Sequence, residues 1–268
     1  MRYGTDSQVR LAIKDLAEGF RRVDIWLMLG WQDIRQRYRR SALGPFWLTL
    51  STGITTVALG LVFSAIFKSP LDRYFPYLAI GLVVWTLISQ VMIDGCVCFI
   101  LAEGTIKQIR LPFTMYVCRL VWRNVAIFLH NLVIVAGVML WFGVAGSAWA
   151  IPLVLPGLFL VLLNGLWMAL VLGIICTRFR DVPQIVGSGV QLVFFVTPII
   201  WEPSLMPGRN RIIHFNPFHH LVELVRAPLL GQVPAAESWM LAVGLAVVGW
   251  LLAFALLVGF RRRIAFWL

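Results

Sequence analysis

The sequence predicts an all-α membrane protein with six transmembrane helices. Hydrophobic residues make up 60% of its 268 residues and charged residues only 13%, whereas a soluble domain carries roughly 25% charged residues. Too little polar surface remains to cover a globule in water, and the apolar residues gather in long runs. Lysine and arginine fall between those runs, which is the arrangement expected of a chain threaded through a bilayer.

Six apolar stretches meet or approach the roughly 20 residues that a helix needs to cross about 30 Å of hydrocarbon. The fifth is the weakest: it begins in a glycine-rich segment and closes on Thr197-Pro198, so a re-entrant segment is the alternative there. The predicted spans cover residues 46–67, 74–101, 117–142, 150–176, 184–201 and 239–260.

The distribution of basic residues predicts that both termini lie in the cytoplasm. With the N-terminus inside, the cytoplasmic segments hold 18 of the 23 lysines and arginines, and the external segments hold five. Basic residues are enriched on the cytoplasmic side of membrane proteins. The formal net charge of +11 therefore indicates contact with anionic lipid headgroups and not with nucleic acid.

Residues 1–45 are predicted to form a cytoplasmic segment ahead of a transmembrane domain at 46–268. Apolar residues spaced by four and three from Val9 to Leu27 predict an amphipathic helix over residues 7–28. Such a helix would lie in the plane of the cytoplasmic leaflet, and docking against a partner protein is the alternative. Its predicted polar face carries Arg10, Lys14, Asp15, Glu18, Arg21 and Arg22.

A cluster of basic residues stands directly before the first span. Guanidinium groups bind phosphate oxygens through paired hydrogen bonds, so this collar is a candidate cytoplasmic entrance for a substrate that carries phosphate. A plain stop signal that fixes the topology accounts for the same residues equally well. Gly44-Pro45 would end the helix as the chain turns into the membrane. The candidate entrance residues are Arg35, Arg37, Tyr38, Arg39 and Arg40.

Three charged residues fall inside the predicted spans. Asp94 lies about two turns from the cytoplasmic end of the second span, and Arg119 and Arg123 lie at a similar depth in the third. A bare carboxylate there costs about 2.5 to 3.5 kcal/mol on insertion scales, so a partner is expected. We predict an ion pair of Asp94 with Arg119 or with Arg123. A structural pair is favoured over a proton relay because no chain of acids and histidines continues from it.

Two segments outside the spans have helical character. Glu103–Pro112 is short, amphipathic and cytoplasmic, and forms either a plain connector or a docking helix for a soluble partner. Residues 202–238 form the long external segment, in which short amphipathic pieces predict helices lying across the external mouth. A metal site needs three or four converging ligands, and we predict none among the nearby His214, His219, His220 and Glu223. The four cysteines lie in or beside apolar runs, which indicates buried small hydrophobic side chains.

No catalytic residue is predicted in this chain. The sequence contains no Gly-x-x-x-x-Gly-Lys-Ser/Thr phosphate loop, no His-Glu-x-x-His and no Gly-x-Ser-x-Gly motif. The chain therefore does not hydrolyse ATP through such a loop. Active transport would have to draw on a partner or on an ion gradient.

Four segments in register resemble the ABC-type permeases that export O-antigen, capsule and teichoic acid. Arg37-Tyr-Arg-Arg-Ser-Ala-Leu-Gly-Pro-Phe-Trp47 resembles the start of the first span in that family. Arg178-Phe-Arg-Asp181 precedes the fifth span, and Thr197-Pro-Ile-Ile-Trp201 ends it, with Trp where the family more often has Tyr. The last segment is Asn216-Pro-Phe218, followed by Glu223 and Arg226.

The resemblance implies a type-2 transmembrane subunit of the inner membrane. It implies a homodimer that works with two copies of a separate ATP-binding subunit, and that this partner, not this chain, binds ATP and Mg. It also implies a gate helix over residues 31–44 and a channel lined by aromatic side chains. An external gate would involve Pro198, Trp201, Asn216 and Pro217. The implied coupling helix, seated in a groove of the ATP-binding subunit, comprises Glu103, Gly104, Thr105, Ile106, Lys107, Gln108, Ile109 and Arg110.

The leading functional hypothesis is ATP-driven export of a lipid-linked polysaccharide, whose pyrophosphate end engages the arginine collar. A related ABC permease that exports a small molecule or a lipid is the first alternative. A membrane-embedded transferase acting on polyprenyl phosphates is a remote one, because it needs acidic pairs facing the cytoplasm. Only Glu103 and Asp181 are available for such a pair.

Overall fold

The computed structural model describes residues 2–37, 46–144, 146–147, 149–203 and 213–268, with only the backbone given for residues 2–7 and 37. All regular secondary structure in these ranges is helical. In chain order the helices are α1 (Arg2–Arg21), α2 (Val23–Arg37), α3 (Phe46–Phe67), α4 (Leu71–Leu101), α5 (Glu103–Gln108), α6 (Phe113–Trp141), α7 (Val154–Arg178), α8 (Val182–Val196), α9 (Pro217–Leu229) and α10 (Ala236–Trp267), with a 3-10 turn at Ile151–Leu153 before α7.

Five of the described helices are long and apolar enough to cross a membrane: α3, α4, α6, α10, and α7 together with its preceding 3-10 turn. This confirms the predicted all-α membrane fold. The first span, α3, has the predicted bounds. The helices that hold the second and third spans begin earlier than predicted, that of the fourth ends later, and that of the sixth extends past both predicted ends. Hydropathy marks only the apolar part of a helix, and backbone hydrogen bonding continues into the polar turns at its ends.

The fifth predicted span, 184–201, differs from the structure. Its helix, α8, has 15 residues and ends at Val196, which corresponds to a length of about 22 Å. Thr197 has an extended backbone (φ −81°, ψ 132°), as expected for a residue that precedes a proline. The remaining residues to Trp201 form turns and not helix.

The helices run between two ends of a bundle. The basic end holds α1, α2, α5 and the last turn of α10, while the distal end holds the α3–α4 turn and α9. Helix α8 leads from one end to the other: just before it Arg180 donates to the carbonyl of Trp267 (3.5 Å). Just beyond it the carbonyl of Ile200 accepts from the Tyr74 hydroxyl (2.5 Å), on the first turn of α4.

Helix α4 forms the centre of the bundle and packs against α6 and α7. Its side chains are buried over most of its length. At Gly95 the α4 backbone lies directly on α7, because a Cβ atom there would stand 2.7 Å from the Cα atom of Ala169. Near the basic end the ring of Phe99 packs against Phe113 (5.5 Å between centroids) and Tyr116 (6.5 Å).

The N-terminal segment corrects two predictions. The single amphipathic helix expected over residues 7–28 is divided at Arg22 into α1 and α2. Asp15, which was expected on the polar face, is 1% exposed. Its carboxylate accepts hydrogen bonds from the backbone N–H groups of Phe113 (3.1 Å) and Thr114 (3.0 Å) and from Arg261 Nε (2.9 Å).

The position of Asp15 follows from the start of α6. The first N–H groups of a helix have no partner within the helix, and the residue before α6 is Pro112, which has no side chain able to cap it. A carboxylate at a helix N-terminus is also favoured by the helix dipole. Asp15 therefore caps α6 from another helix and joins α1, α6 and α10 at one point.

The contact at Gly95 predicts opposite effects for two glycine substitutions. Gly95→Ala forces α4 and α7 apart, which costs about 1 to 3 kcal/mol. Gly137→Ala on α6 is the matched control, because a Cβ atom there meets nothing within 4 Å and alanine gains about 1 kcal/mol of helix propensity. Thermal unfolding in detergent should give a lower Tm for Gly95→Ala and an equal or higher Tm for Gly137→Ala. Equal Tm values for the two variants would contradict the packing described here.

Candidate functional site

Four ionised side chains meet at the junction of α2, α4 and α6, and together they are called the charge network: Asp33, Asp94, Arg119 and Arg123. Asp94 Oδ2 accepts from Arg123 (2.6 Å). Arg119 binds Asp33 through two nitrogens, with Nε 2.7 Å from Oδ2 and the second contact from its terminal nitrogen to Oδ1. Arg123 also lies 3.8 Å from Asp33, so the two pairs are joined.

The structure brings Asp94 to Arg123, one of the two partners considered from the sequence, and brings Arg119 to Asp33 instead. Sequence reasoning missed Asp33. The signal that could have found it is charge balance, because two buried cations require two carboxylates where the dielectric is low. Asp94 also accepts from the side-chain amide of Asn124 (2.9 Å).

A cavity of about 150 Å³ opens beside the charge network, and Tyr116, Cys98 and Leu101 complete much of its lining. Two donors near it, the Tyr116 hydroxyl and Arg123 Nε, are buried and have no hydrogen-bond partner among the described residues. A polar cavity with spare donors is suited to a bound water or to a small oxyanion.

The predicted coupling helix is a short exposed helix at the basic end. Helix α5 ends at Gln108, earlier than expected, and Ile109 is extended (φ −127°, ψ 128°) and 54% exposed. Lys107 lies 2.6 Å from Glu103 one turn away. This hydrogen bond and the charge of Lys107 hold the pKa of Glu103 below its usual value. Helix α5 follows α4 after one residue and precedes α6 by a short extended segment, so it links the two central helices.

Aromatic and basic side chains surround α5 at the basic end. The guanidinium of Arg178 lies over the rings of Phe179 (5.9 Å) and Trp267 (5.6 Å). Phe179 itself is 55% exposed. The basic end therefore presents a surface that combines apolar rings, cations and the free face of α5, which is the composition of many protein-docking surfaces.

The structure describes only two of the predicted entrance residues, Arg35 and the backbone of Arg37. Arg35 is exposed on the last turns of α2, and Arg37 is the last residue of that helix. The side chain of Arg37 and all of Tyr38, Arg39 and Arg40 lie outside the described residues. The part of the implied gate helix that is described, residues 31–37, belongs to α2, which begins at Val23.

At the distal end a fully buried arginine holds the non-helical turn after α8. Arg226 NH1 donates to the carbonyl of Pro198 (2.8 Å), and Nε donates to Glu223 Oε1 (2.9 Å). The guanidinium lies 3.9 Å from the ring centroid of Tyr77, whose hydroxyl donates to the same Pro198 carbonyl (2.9 Å). Sequence reasoning named Arg226 but missed Tyr77.

The pKa values of Glu223 and Arg226 follow from the contact between the two side chains. Burial opposes ionisation of Glu223, but the adjacent Arg226 and nearby imidazoles outweigh it and lower the pKa of Glu223. Burial likewise opposes the charge of Arg226, and Glu223 outweighs it and raises the pKa of Arg226. Both groups are therefore ionised at neutral pH, as a bond from Arg226 to a backbone carbonyl requires.

The predicted external gate residues lie around this turn. Asn216 Nδ2 donates to Thr197 Oγ1 (2.9 Å), while its Oδ1 accepts from the N–H groups of Phe218 (3.0 Å) and His219 (3.3 Å) at the start of α9. Trp201 Nε1 donates to the carbonyl of Phe195 (3.1 Å). The structure thus brings Pro198, Trp201 and Asn216 to one region, with Pro217 exposed as the first residue of α9.

The distal histidines have separate partners. His214 Nδ1 lies 3.0 Å from Glu237, and His220 lies 2.9 Å from both Ser238 Oγ and the carbonyl of His214. Burial lowers the pKa of His219 to about 4, an effect that Glu223 only partly offsets. Among the described residues, no three His, Cys, Asp or Glu side chains are placed to share a metal ion.

The charge network predicts unequal coupling in double-mutant cycles. Asp94→Asn and Arg123→Gln should be non-additive by about 0.5 to 3 kcal/mol, because each removes the other's partner. The control cycle combines Asp94→Asn with Arg110→Gln, because Arg110 is exposed. The effects of these two substitutions on stability should be additive within about 0.5 kcal/mol. Thermal unfolding in one detergent measures both cycles. Additivity in the Asp94–Arg123 cycle would contradict the pair.

His219 predicts a loss of stability on mild acidification. The unfolded chain binds a proton at this position below about pH 6.5, whereas folded His219 resists protonation until about pH 4. Stability is therefore complete above pH 6.5 and falls between these values, by about 3 kcal/mol from this group alone. His219→Gln should remove that part of the fall in Tm measured between pH 7 and 4.5. An identical pH profile in this variant would contradict the assignment.

Comparison with known proteins identifies the family of this helical arrangement. Residues 25–230 match the family described as ABC-2 type transporter. The O-antigen export system permease protein RfbA of Klebsiella pneumoniae is 22% identical over 203 residues, which is 74% of this chain and 77% of the relative. The protein of the same name from Myxococcus xanthus is 25% identical over 224 residues, 81% of this chain and 85% of the relative.

The match begins within α2 and ends just beyond α9, so it includes the charge network, α5 and the distal turn. The matched residues and the five apolar helices together cover most of the chain. This protein is therefore an integral membrane protein that belongs to the ABC-2 type transporter membrane family.

Proposed function

We propose that this chain is the transmembrane subunit of an ATP-driven exporter that moves a lipid-linked polysaccharide across the inner membrane. The proposal rests on membership of the ABC-2 family. It rests also on similarity, over 74% and 81% of the chain, to permeases named for O-antigen export. Transport is then the role of this chain, and ATP hydrolysis is the role of a partner.

The basic end faces the cytoplasm in this proposal, so that both termini are cytoplasmic. Most lysines and arginines outside the apolar helices lie at that end. Helix α8 supplies the sixth crossing together with the turn residues after it. Its 15 residues give about 22 Å, and the segment that follows reaches the first turn of α4, where Tyr74 binds Ile200.

Helix α5 couples the channel to the ATP-binding subunit. Two copies of this chain would pair with two copies of that subunit, which would bind ATP and Mg. Helix α5 suits the role because it is exposed and is fixed at both ends by central helices of the bundle. The cap from Asp15 on the first turn of α6 holds one of those ends. A displacement of α5 would therefore move α4 and α6 together.

The substrate enters at the arginine collar and leaves at the distal turn. Guanidinium groups match the geometry of pyrophosphate oxygens, and the collar directly precedes α3. At the distal end, the turn at Pro198 is held by Arg226 and Tyr77 rather than by helical hydrogen bonds. Such a turn can change shape without breaking a helix, as an external gate must. The N-terminal segment, residues 1–45, then forms the cytoplasmic interface and gate, and residues 46–268 form the channel wall.

The proposal predicts that the arginine collar is needed for the response to substrate but not for assembly with the ATP-binding subunit. Co-expressed with the ATP-binding subunit, the chain should purify as a complex whose ATPase rate rises at least about twofold with lipid-linked glycan. Replacing Arg35, Arg37, Arg39 and Arg40 by Ala should abolish that rise and leave the complex intact. Arg21→Ala with Arg22→Ala, at exposed positions at the end of α1 and just after it, is the matched control and should respond normally.

A substitution on the exposed segment after α5 separates coupling from folding. Ile109→Glu should weaken co-purification of the ATP-binding subunit without lowering the Tm of this chain, because Ile109 is exposed. Failure of any ATP-binding subunit to associate with the wild-type chain would contradict the proposed function. An unchanged glycan response in the four-arginine variant would remove the collar as the entrance.

A further inference from the structure

The N-terminal helix α2 lies directly on α6. A Cβ atom at Gly30 would stand 2.9 Å from the carbonyl oxygen of Arg119 and 2.8 Å from Cδ1 of Trp122, so the α2 backbone contacts α6 without an intervening side chain. The rings of Trp26 and Trp122 pack edge to face 6.4 Å apart. This close packing of α2 on α6 brings the next turn of α2 beside the charge network.

Asp33 is the ionic link between α2 and the membrane helices. Among the described residues it makes both of the ion pairs that join α2 to α6, with Arg119 and with Arg123. Arg119 binds Asp33 with two nitrogens and has no second carboxylate in the part of the chain that the structure describes, whereas Arg123 has Asp94 as well. Removal of α2 would thus leave Arg119 as an uncompensated cation.

An uncompensated, partly buried cation is costly, because a charge removed from water loses hydration that only an opposite charge or hydrogen bonds can replace. A guanidinium that donates paired hydrogen bonds to a carboxylate can donate them to a phosphate group in the same geometry. An anion bound to Arg119 would therefore compensate the charge of the guanidinium in place of Asp33. Asp33 could then separate from Arg119 without leaving an unpaired cation.

The cavity beside the charge network has room and donors for such an anion. Its volume is about 150 Å³, several times the roughly 30 Å³ that one water occupies in the liquid. Tyr116, Arg119 and Arg123 line it, and the Tyr116 hydroxyl and Arg123 Nε, which are shielded from solvent, have no partner in the described part of the chain. Leu101, 77% exposed, gives the cavity an apolar rim where an acyl or prenyl chain can lie.

We propose that Asp33 and Arg119 form a phosphate-operated latch: the phosphate group of a membrane lipid replaces Asp33 on Arg119 and releases α2 from α6. The inference deepens the proposed function, on which it rests, because it assigns the substrate's phosphate end a site inside the bundle and a mechanical effect. Binding and release are reciprocal, so an anion that opens the latch must bind the opened form more tightly.

Hydrogen exchange of the α2 amides measures the latch in the unmodified chain. The full chain is placed in phosphatidylcholine nanodiscs, and exchange over residues 23–37 is followed with three probes. These are a polyprenyl pyrophosphate, 10 mol% of phosphatidic acid, and soluble inorganic pyrophosphate. The expected result is an acceleration of about threefold or more with a lipid phosphate. Acceleration by the prenyl lipid alone, by both lipids, or by soluble pyrophosphate as well supports the latch and identifies the source of its phosphate.

Three variants separate the latch from a general loosening of α2. In Arg119→Gln, the α2 amides should exchange fast without a probe, and none of the three probes should change their exchange rate. The exchanged pair Asp33→Arg with Arg119→Asp should restore protection without a probe, which shows that the Arg119→Gln effect comes from loss of the ion pair and not from misfolding. Asp24→Asn, an exposed carboxylate on the same helix, should behave as wild type.

Unchanged α2 exchange with all three probes overturns the latch, as does equal acceleration in Arg119→Gln. These results are independent of the export assay. Glycan-stimulated ATPase activity without any α2 response would remove the latch and keep the proposed function. An α2 response to lipid phosphate in a chain that binds no ATP-binding subunit would remove the proposed function and keep the latch.

Discussion

At the basic end of this helix bundle, acidic and basic side chains are paired between different helices, and the arrangement of that end depends on these pairs. Asp94 on α4 binds Arg123 on α6, and Asp33 on α2 binds Arg119. Asp15 on α1 binds Arg261 on α10. A charge at membrane depth costs several kcal/mol without a partner, so these contacts specify which helices adjoin one another more strictly than apolar packing does.

The same constraint takes a different form at the distal end, where the helix of α8 stops. Backbone carbonyls freed by the turn at Pro198 cannot remain unpaired in an apolar environment. Side chains from other helices satisfy them: Arg226 and Tyr77 reach Pro198, and Tyr74 reaches Ile200. The basic end is thus fixed by charge pairs, and the distal turn by side chains that replace helical hydrogen bonds. A turn of this kind can be rearranged at a lower cost than a helix.

Apolar run length predicted the five long helices, because a helix is the only way to satisfy the backbone of such a run in lipid. It could not give their ends, since α10 continues through Arg261 to Trp267. The partner of Asp94 was left open because Arg119 and Arg123 are one turn apart and share a helix face.

The roles of Asp15 and Asp33 were beyond the sequence for a different reason. Periodicity shows that a residue is on the polar face of a helix but not which distant helix that face meets. Only the docking of α1 and α2 on α6 buries Asp15 and brings Asp33 to Arg119. The division of the N-terminal helix at Arg22 makes this docking possible, and no proline in the local sequence marks it.

The Asp15 junction also sets an order of events during synthesis. Asp15 and Arg261 are separated by 246 residues, which take roughly 10 to 50 s to synthesise at ordinary translation rates. Until Arg261 is made, the Asp15 carboxylate can accept from the N–H groups of Phe113 and Thr114 but lacks the guanidinium of Arg261. The junction of α1, α6 and α10 therefore closes only once α10 has been made, well after α6.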